Sequence, residues 1–289
     1  MTDWAAARVP RLPAPPGGGY LDANGWLGEW PARRLNGSPP PARQALVEQR
    51  LRLMDRLGIQ LAAVSLLESV WLKDCGTANV ELHALVGARR DRFFPVYTLN
   101  PTFPIWQAHL ERYRGDYGLA PGTGAVRLLP AYHGYRLEDG GADACLDRLA
   151  ALDVPVLLTV QLEDARMHHP AMRVPDLAPA SVLAAVGRWP AIRWVVANAV
   201  HAQALAIGQQ LPPGARVWFD IARVQGPVDC LRSLRGALGA GRLLFGTNQP
   251  LHVAASPILE LADAHLDPAE DAAVRYANAR AALGIPPAA

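Results

Sequence analysis

What most constrains this chain is an alternation of short apolar segments with amphipathic ones, running from residue 20 to the C-terminus. The apolar segments read as strands at Tyr20 to Asn24, Leu61 to Leu66, Phe93 to Leu99, Ala125 to Leu129, Val154 to Gln161, Ile192 to Asn198, Val217 to Ile221 and Leu243 to Thr247. Helical stretches lie between them at Ala45 to Leu57, Ala78 to Arg90, Ile105 to Tyr113, Ala142 to Leu152, Ala178 to Arg188, Ala202 to Gln210 and Pro227 to Leu238. Two more, Ile258 to His265 and Pro268 to Leu283, close the chain. Strands that alternate with helices imply a parallel sheet joined by helical crossovers. About eight such repeats in 289 residues predict a closed α/β barrel, the (β/α)8 TIM barrel, over residues 20–289. An open doubly wound sheet is the alternative. It would want a Gly-x-Gly-x-x-Gly turn after an early strand, and none is present. Residues 1–19 are rich in Pro, Ala and Gly and read as a flexible N-terminal arm.

Composition narrows the chemistry. Hydrophobic residues make up 51% and charged residues 19%, so a large core is expected and global disorder is not. A net charge of +2 without a basic stripe gives no support for a nucleic-acid partner. The apolar runs are too short or too interrupted to span a membrane. Cys75, Cys145 and Cys230 lie far apart, which fits a reduced cytoplasmic setting rather than a disulfide framework. Lys73 is the only lysine, so a Schiff base or a carboxylated metal-bridging lysine would have to use it. Beside Asp74 it reads better as half of a surface pair. No Gly-x-Ser-x-Gly elbow and no His-Glu-x-x-His occurs.

In a barrel of this kind the active site is built at the C-terminal ends of the strands. That rule gathers Asn24, Trp26, Glu68, Asn100, Arg127, Tyr132, His133, Thr159, Gln161, Glu163, Asp164, Asn198, His201, Asp220, Arg223, Thr247, Asn248 and His252. Each taken alone also reads as a loop polar group satisfied locally. Gln161 to Pro170 is the densest polar stretch. Arg166 there could clamp an anion, and His168 or His169 could exchange a proton. The same stretch also reads as a surface loop in which Glu163, Asp164 and Arg166 neutralise one another. His133 reads as a general base or as a histidine held by its own turn. Trp26, Trp30 and Trp71 read as an aromatic pocket or as core.

Three segments carry a family resemblance. Leu21-Asp22-Ala23-Asn24-Gly25-Trp26-Leu27-Gly28 resembles an Asp-x-His-x-His-x-Gly opening. Leu244-Phe245-Gly246-Thr247-Asn248-Gln249-Pro250 resembles a Phe-Gly-Ser-Asp-x-Pro ending, and Tyr276 to Gly284 resembles a closing Asn-Ala-x-x-Leu-x-Gly. Together they resemble the amidohydrolase superfamily, in the branch of metal-dependent hydrolases, lactonases and decarboxylases. The resemblance implies a metal site. Its opening histidines fall on Asn24 and Trp26, its fifth- and sixth-strand histidines on Thr159 and Asn198, and its eighth-strand aspartate on Asn248. Amides are weak ligands for zinc, Trp offers no lone pair, and Asn248 is no base near neutral pH. No metal ligand and no cofactor is therefore expected. A relocated site would have to draw on His133, His168, His169 or His201, and their spacing does not demand one.

Two functions follow. One is a metal-independent hydrolase or lyase acting on a small polar or carboxylated substrate. Its catalytic set is His133, Asp164, His168 and Asn248. Its substrate-binding set is Asn24, Trp26, Arg127, Tyr132, Thr159, Gln161, Arg166, His169, Asn198, His201 and Asp220. The other is a non-catalytic barrel that binds a small molecule or partners an active paralogue, as a homo- or hetero-oligomer.

Overall fold

A computed structural model describes residues 18–30, 42–168 and 173–286. His169 and residues 1–17 of the N-terminal arm lie outside the described residues. Eight strands run β1 (Tyr20–Leu27), β2 (Ile59–Leu66), β3 (Phe93–Thr98), β4 (Ala125–Leu128), β5 (Val156–Thr159), β6 (Trp194–Ala197), β7 (Val217–Asp220) and β8 (Leu243–Leu244). They pair in sequence order, every pair parallel. The seam between the last strand and the first is closed by three backbone bonds. Ala23 N–H donates to Phe245 O at 2.9 Å, Asn248 N–H to Asn24 O at 2.7 Å and Trp26 N–H to Gln249 O at 2.9 Å. The result is the (β/α)8 barrel.

The crossovers are α1 (Arg43–Leu57), α2 (Gly76–Val86), α3 (Trp106–Gly115), the single turn α4 (Pro130–His133), α5 (Asp143–Ala151), α6 (Pro179–Arg188), α7 (His201–Gly208) and α8 (Cys230–Leu238). After β8 come α9 (Ser256–Asp263), α10 (Pro268–Ala272) and α11 (Asn278–Leu283). The last two, expected as one helix, are separated by a π-helical turn over Ala273–Ala277. That turn leaves the Val274 carbonyl free to accept from Phe245 N–H at 2.9 Å. Asn278 then ties the helix to the barrel, donating to the carbonyls of Ala240 and Leu243 at 2.8 and 2.9 Å.

The period of two along each strand sorts residues between the barrel interior and the helix shell. Ala62, Val64, Val126, Leu128, Val156 and Leu158 pack outward, in one cluster with helix residues such as Met54 and Leu146. Ala63, Val96, Ala125, Leu157, Val195 and Leu244 point inward and meet Ala279, Ala282 and Leu283 of α11, which close the floor. Two residues further along the same inward faces stand Ser65, Arg127 and Thr159. The barrel therefore has an apolar floor and a polar upper layer.

β1 joins that layer through a bulge. Asp22 pairs with Ala62 but Gly25 with Val64, so β1 carries one extra residue. The extra residue shifts the phase of the strand. Leu21 and Ala23 face inward, Asn24 and Trp26 face inward again after the bulge, and Asp22 is left facing α1. At the end of β8, Gly246 has no side chain because a Cβ there would stand 2.9 Å from the Cβ of Asp220.

Candidate functional site

The upper layer is a directed chain of hydrogen bonds. Arg127 Nη1 donates to Asn24 Oδ1 at 3.0 Å. Asn24 Nδ2 donates to Asn198 Oδ1 at 2.7 Å, and Asn198 Nδ2 to Asn248 Oδ1 at 3.2 Å. Asn248 Nδ2 ends the chain on the Leu162 carbonyl at 2.8 Å. Its direction is fixed at two points by groups that can only donate, the Arg127 guanidinium and the Trp26 indole, whose Nε1 reaches Asn248 Oδ1 at 2.9 Å. Asn198 and Asn248 have φ of 64° and 48°. Asparagine is among the few residues other than glycine that accept this left-handed region readily.

Arg127 is the hub of the layer. It is completely buried, donates through Nε to Ser65 Oγ at 2.8 Å and through Nη1 to Thr159 Oγ1 at 3.1 Å, and lies 4.0 Å from the centre of the Trp26 ring. Burial pulls its pKa down to about 9, opposed by the charges of Asp220 and Asp22. Its Nη2 is buried and has no hydrogen-bond partner. Asp220, at the end of β7, accepts from Asn198 N–H at 2.7 Å, Ala222 N–H at 2.9 Å and Asn24 Nδ2 at 3.4 Å. Burial nevertheless raises its pKa to about 6, against the lowering effect of those bonds.

A carboxyl whose pKa rises from 3.8 in the unfolded chain to about 6 in the fold stabilises the fold fully below 3.8 and loses that contribution as pH rises through 6. The difference is on the order of 3 kcal/mol. In Asp220→Asn this component is expected to vanish. Unfolding free energies of the two chains, subtracted and plotted against pH, should slope across that window and level off on both sides. A flat difference curve would show that Asp220 titrates normally.

A second cluster, of which sequence reasoning gathered only Thr247 as a site residue, holds the seam behind the layer. Asp22 Oδ1 accepts from the backbone of Asn24 at 3.1 Å and of Thr247 at 2.9 Å. Its Oδ2 accepts from Thr247 Oγ1 at 2.6 Å and from Arg50 of α1. Arg50 also donates to Gln249. The signal was present in α1, where Val47, Arg50, Leu51, Met54 and Leu57 form the buried stripe and one position on it is an arginine.

Above the polar layer Trp26, Trp30, Leu67, Val70, Leu129, Leu162 and Leu251 form an apolar cap, with Tyr132 against it. Several expected site residues lie in or beyond this cap. Tyr132 Oη accepts from Leu162 N–H at 3.2 Å, and burial pushes its pKa up to about 12. His133 sits against the segment between β2 and α2, its Nε2 at 2.9 Å from the Ser69 carbonyl and 3.9 Å from Cys75 Sγ, and burial lowers its pKa. Gln161 accepts from Arg223 and donates to Asp176. Asp164 and Arg166 form an exposed pair at 2.8 Å, and the arginine holds the carboxyl well below the usual carboxylate range. His168 follows on the same loop. His201 opens α7 on the outer shell, 3.2 Å from Ser233 Oγ. The Trp30 and Trp71 rings meet at a tilt, with centroids 5.5 Å apart. Lys73 is exposed, and Asp74 faces His109 at 3.4 Å. The structure thus brings Asn24, Trp26, Arg127, Thr159, Asn198, Asp220 and Asn248 into one network. It does not bring His133, Asp164, Arg166, His168 or His201 to that network.

The donor set at the strand ends does not fit a divalent metal. The side-chain oxygens of Asn24, Asn198 and Asn248 already accept hydrogen bonds, Trp26 supplies only an N–H, and a guanidinium stands 3.0 Å from Asn24 Oδ1. Among the described residues no group of three or more His, Cys, Asp or Glu could hold a metal ion. No helix among them is long and apolar enough to cross a membrane.

A parallel barrel with its polar groups gathered at the C-terminal strand ends has the architecture of an enzyme. The sequence profile described as amidohydrolase matches residues 12–285, and the chain belongs to that family. Membership supports an enzyme of the hydrolase or decarboxylase-like lyase type. No curated protein matches the chain. Its fold is similar to that of a 2,6-dihydroxybenzoate decarboxylase from Rhizobium, at 16% identity and a TM-score of 0.67, covering 92% of this chain and 98% of that one. It is similar to a 5-carboxyvanillate decarboxylase from Sphingomonas paucimobilis, at 15% identity and a TM-score of 0.70, covering 93% and 99%. It is also similar to a dihydroxybenzoic acid decarboxylase from Polaromonas sp. JS666 with bound manganese and the inhibitor 2-nitroresorcinol, at 16% identity and a TM-score of 0.67, covering 92% and 97%.

Proposed function

We propose that this chain is an amidohydrolase-family lyase or hydrolase that acts on a small carboxylated substrate without a resident metal. Arg127 holds the substrate anion and Asp220 moves the proton. One observation carries the reading: the wholly buried Arg127 keeps Nη2 without an acceptor, in the same layer as a carboxyl raised to about pH 6. A buried guanidinium nitrogen without an acceptor is costly, and a carboxylate satisfies it. Neighbours of the same fold are decarboxylases of hydroxylated aromatic acids, which supports that substrate class.

For a hydroxybenzoate the step balances without a further reactant. The neutral Asp220 carboxyl gives its proton to the ring carbon that bears the carboxylate. The electron pair of the carbon–carboxylate bond returns to the ring, and carbon dioxide leaves. A proton from solvent then returns to Asp220, so that each turnover consumes one proton and releases one carbon dioxide. The amide chain and Ser65 hold Arg127 in place while the cap residues exclude water.

The test is carbon dioxide release from a panel of hydroxybenzoates by protein purified without chelators, with metal content measured on the same sample. Expected are turnover unaffected by chelator, less at pH values above about 6, where Asp220 ionises, and abolished in Arg127→Met. Stoichiometric metal or loss of activity with chelator would overturn the metal-free reading. No turnover on any substrate would leave the second reading, favoured by the apolar cap over the network. That reading is a non-catalytic barrel that binds a small molecule or partners an active paralogue.

A further inference from the structure

A groove of about 280 Å³ lies along α1 and reaches the polar layer only at Trp26. Leu46, Arg50, Leu53 and Arg56 line it at helical spacing, and Arg52 stands at its edge. Its opposite wall is Leu27, Gln249 and Pro250. Two properties set this groove apart from an ordinary gap between a helix and a barrel.

The first is charge. Three guanidinium groups line the groove, and among the described residues no carboxylate does. Asp22 neutralises Arg50 from the barrel side. Arg52 and Arg56 have no ion-pair partner among the described residues, although most other arginines of this chain are paired with an Asp or Glu. The second is unmet hydrogen bonding. Arg50 Nε and Arg56 Nη1 are both shielded from water and both lack an acceptor. Arg50 itself is 2% exposed and held rigidly by Asp22 and Gln249. A fixed buried donor and a second guanidinium six residues on, with leucine and proline walls, suit an oxyanion attached to a compact apolar body.

We infer that the α1 groove binds a small molecule through a carboxylate or phosphate group, held by Arg50 and Arg56, with Arg52 attracting it from the rim. The volume suits a molecule about the size of a benzoate. The site shares Trp26 with the polar layer, draws on different guanidinium groups from the Arg127 anion site, and does not depend on turnover there.

The experiment is calorimetric titration of the full chain with benzoate, inorganic phosphate and, as a neutral control, benzamide. The expected result is one-to-one saturable binding of at least one oxyanion, at least roughly tenfold weaker in Arg52→Gln/Arg56→Gln, with no binding of benzamide. Binding of phosphate alone assigns a phosphorylated ligand, and binding of benzoate alone a carboxylate. Because Arg52 is exposed and Arg56 only half-buried, the substituted chain should fold, and its thermal unfolding is measured alongside. Arg52→Gln alone provides the milder comparison, expected to weaken binding less. The inference is overturned if neither oxyanion saturates, if benzamide binds as tightly as benzoate, or if the doubly substituted chain binds like the original.

Discussion

Arg127→Met is expected to lower the free energy of unfolding near neutral pH by about 3–5 kcal/mol. The guanidinium is completely buried and donates to Asn24, Ser65 and Thr159 while covering the Trp26 ring. Methionine fills much of the volume and supplies none of the donors. The amide chain loses its first link, and Asp220 loses the charge that opposes its burial. The second loss adds to the cost because it leaves a buried carboxylate to be held by hydrogen bonds alone. It also gives the prediction a signature. Below about pH 4 Asp220 is neutral in the fold, so the penalty of Arg127→Met should shrink there. Arg127→Met/Asp220→Asn should be more stable than the sum of the single changes by at least about 1 kcal/mol. Denaturant titrations of the four chains at two pH values decide it. Equal penalties at both pH values, with additive single effects, would mean that Arg127 acts only as a packed side chain.

Asp22→Ala should cost a similar amount, on the order of 3–5 kcal/mol, by a different route. Four donors converge on this buried carboxylate, two of them from Thr247 and one from Arg50. Together they pin the end of β8 and the helix α1 to β1. Alanine leaves Arg50 charged, buried and without its acid. The damage should be local before it is global. The amides of Ala23, Trp26 and Asn248 make the seam bonds between β1 and the segment after β8. Their hydrogen exchange should accelerate well beyond that of Val156 or Val196 on the far side of the barrel. Uniform acceleration around the barrel would show that Asp22 supports overall stability and not closure.

These two residues also mark how much was legible in the sequence. The barrel was, because eight apolar runs separated by helical ones leave few other topologies, and because the first and last strand motifs sit at the two ends of the repeat. The strand-end rule gathered Asn24, Arg127, Thr159, Asn198, Asp220 and Asn248, which the structure joins in one network. It also gathered His133 and Asp164, which the structure places elsewhere. A strand fixes the position of its last residue, but the path of the following loop depends on tertiary contacts that no local pattern encodes. The single turn α4 carries His133 against the segment between β2 and α2, and the loop after β5 carries Asp164 to the surface. Asp22 was hidden for the opposite reason. Read as part of an alternating strand it is one more outward-facing residue, and only the bulge that follows lets Asn24 and Trp26 share the interior while Asp22 stays turned toward α1.

The amide chain across the barrel has a direction, and direction makes its members interdependent. An aspartate at position 248 could still accept from the Trp26 indole and from Asn198, but it would turn an oxygen toward the Leu162 carbonyl where Asn248 now donates. A neutral histidine at position 198 has one donor and one acceptor nitrogen on a rigid ring, in place of an amide that bridges Asn24 and Asn248. Each substitution toward a metal-binding residue, made alone, breaks a hydrogen bond with a neighbour in the same chain. The network therefore works as a ratchet. Replacing it would require several simultaneous changes, and selection acting on one residue at a time would preserve the amides even where no reaction depended on them.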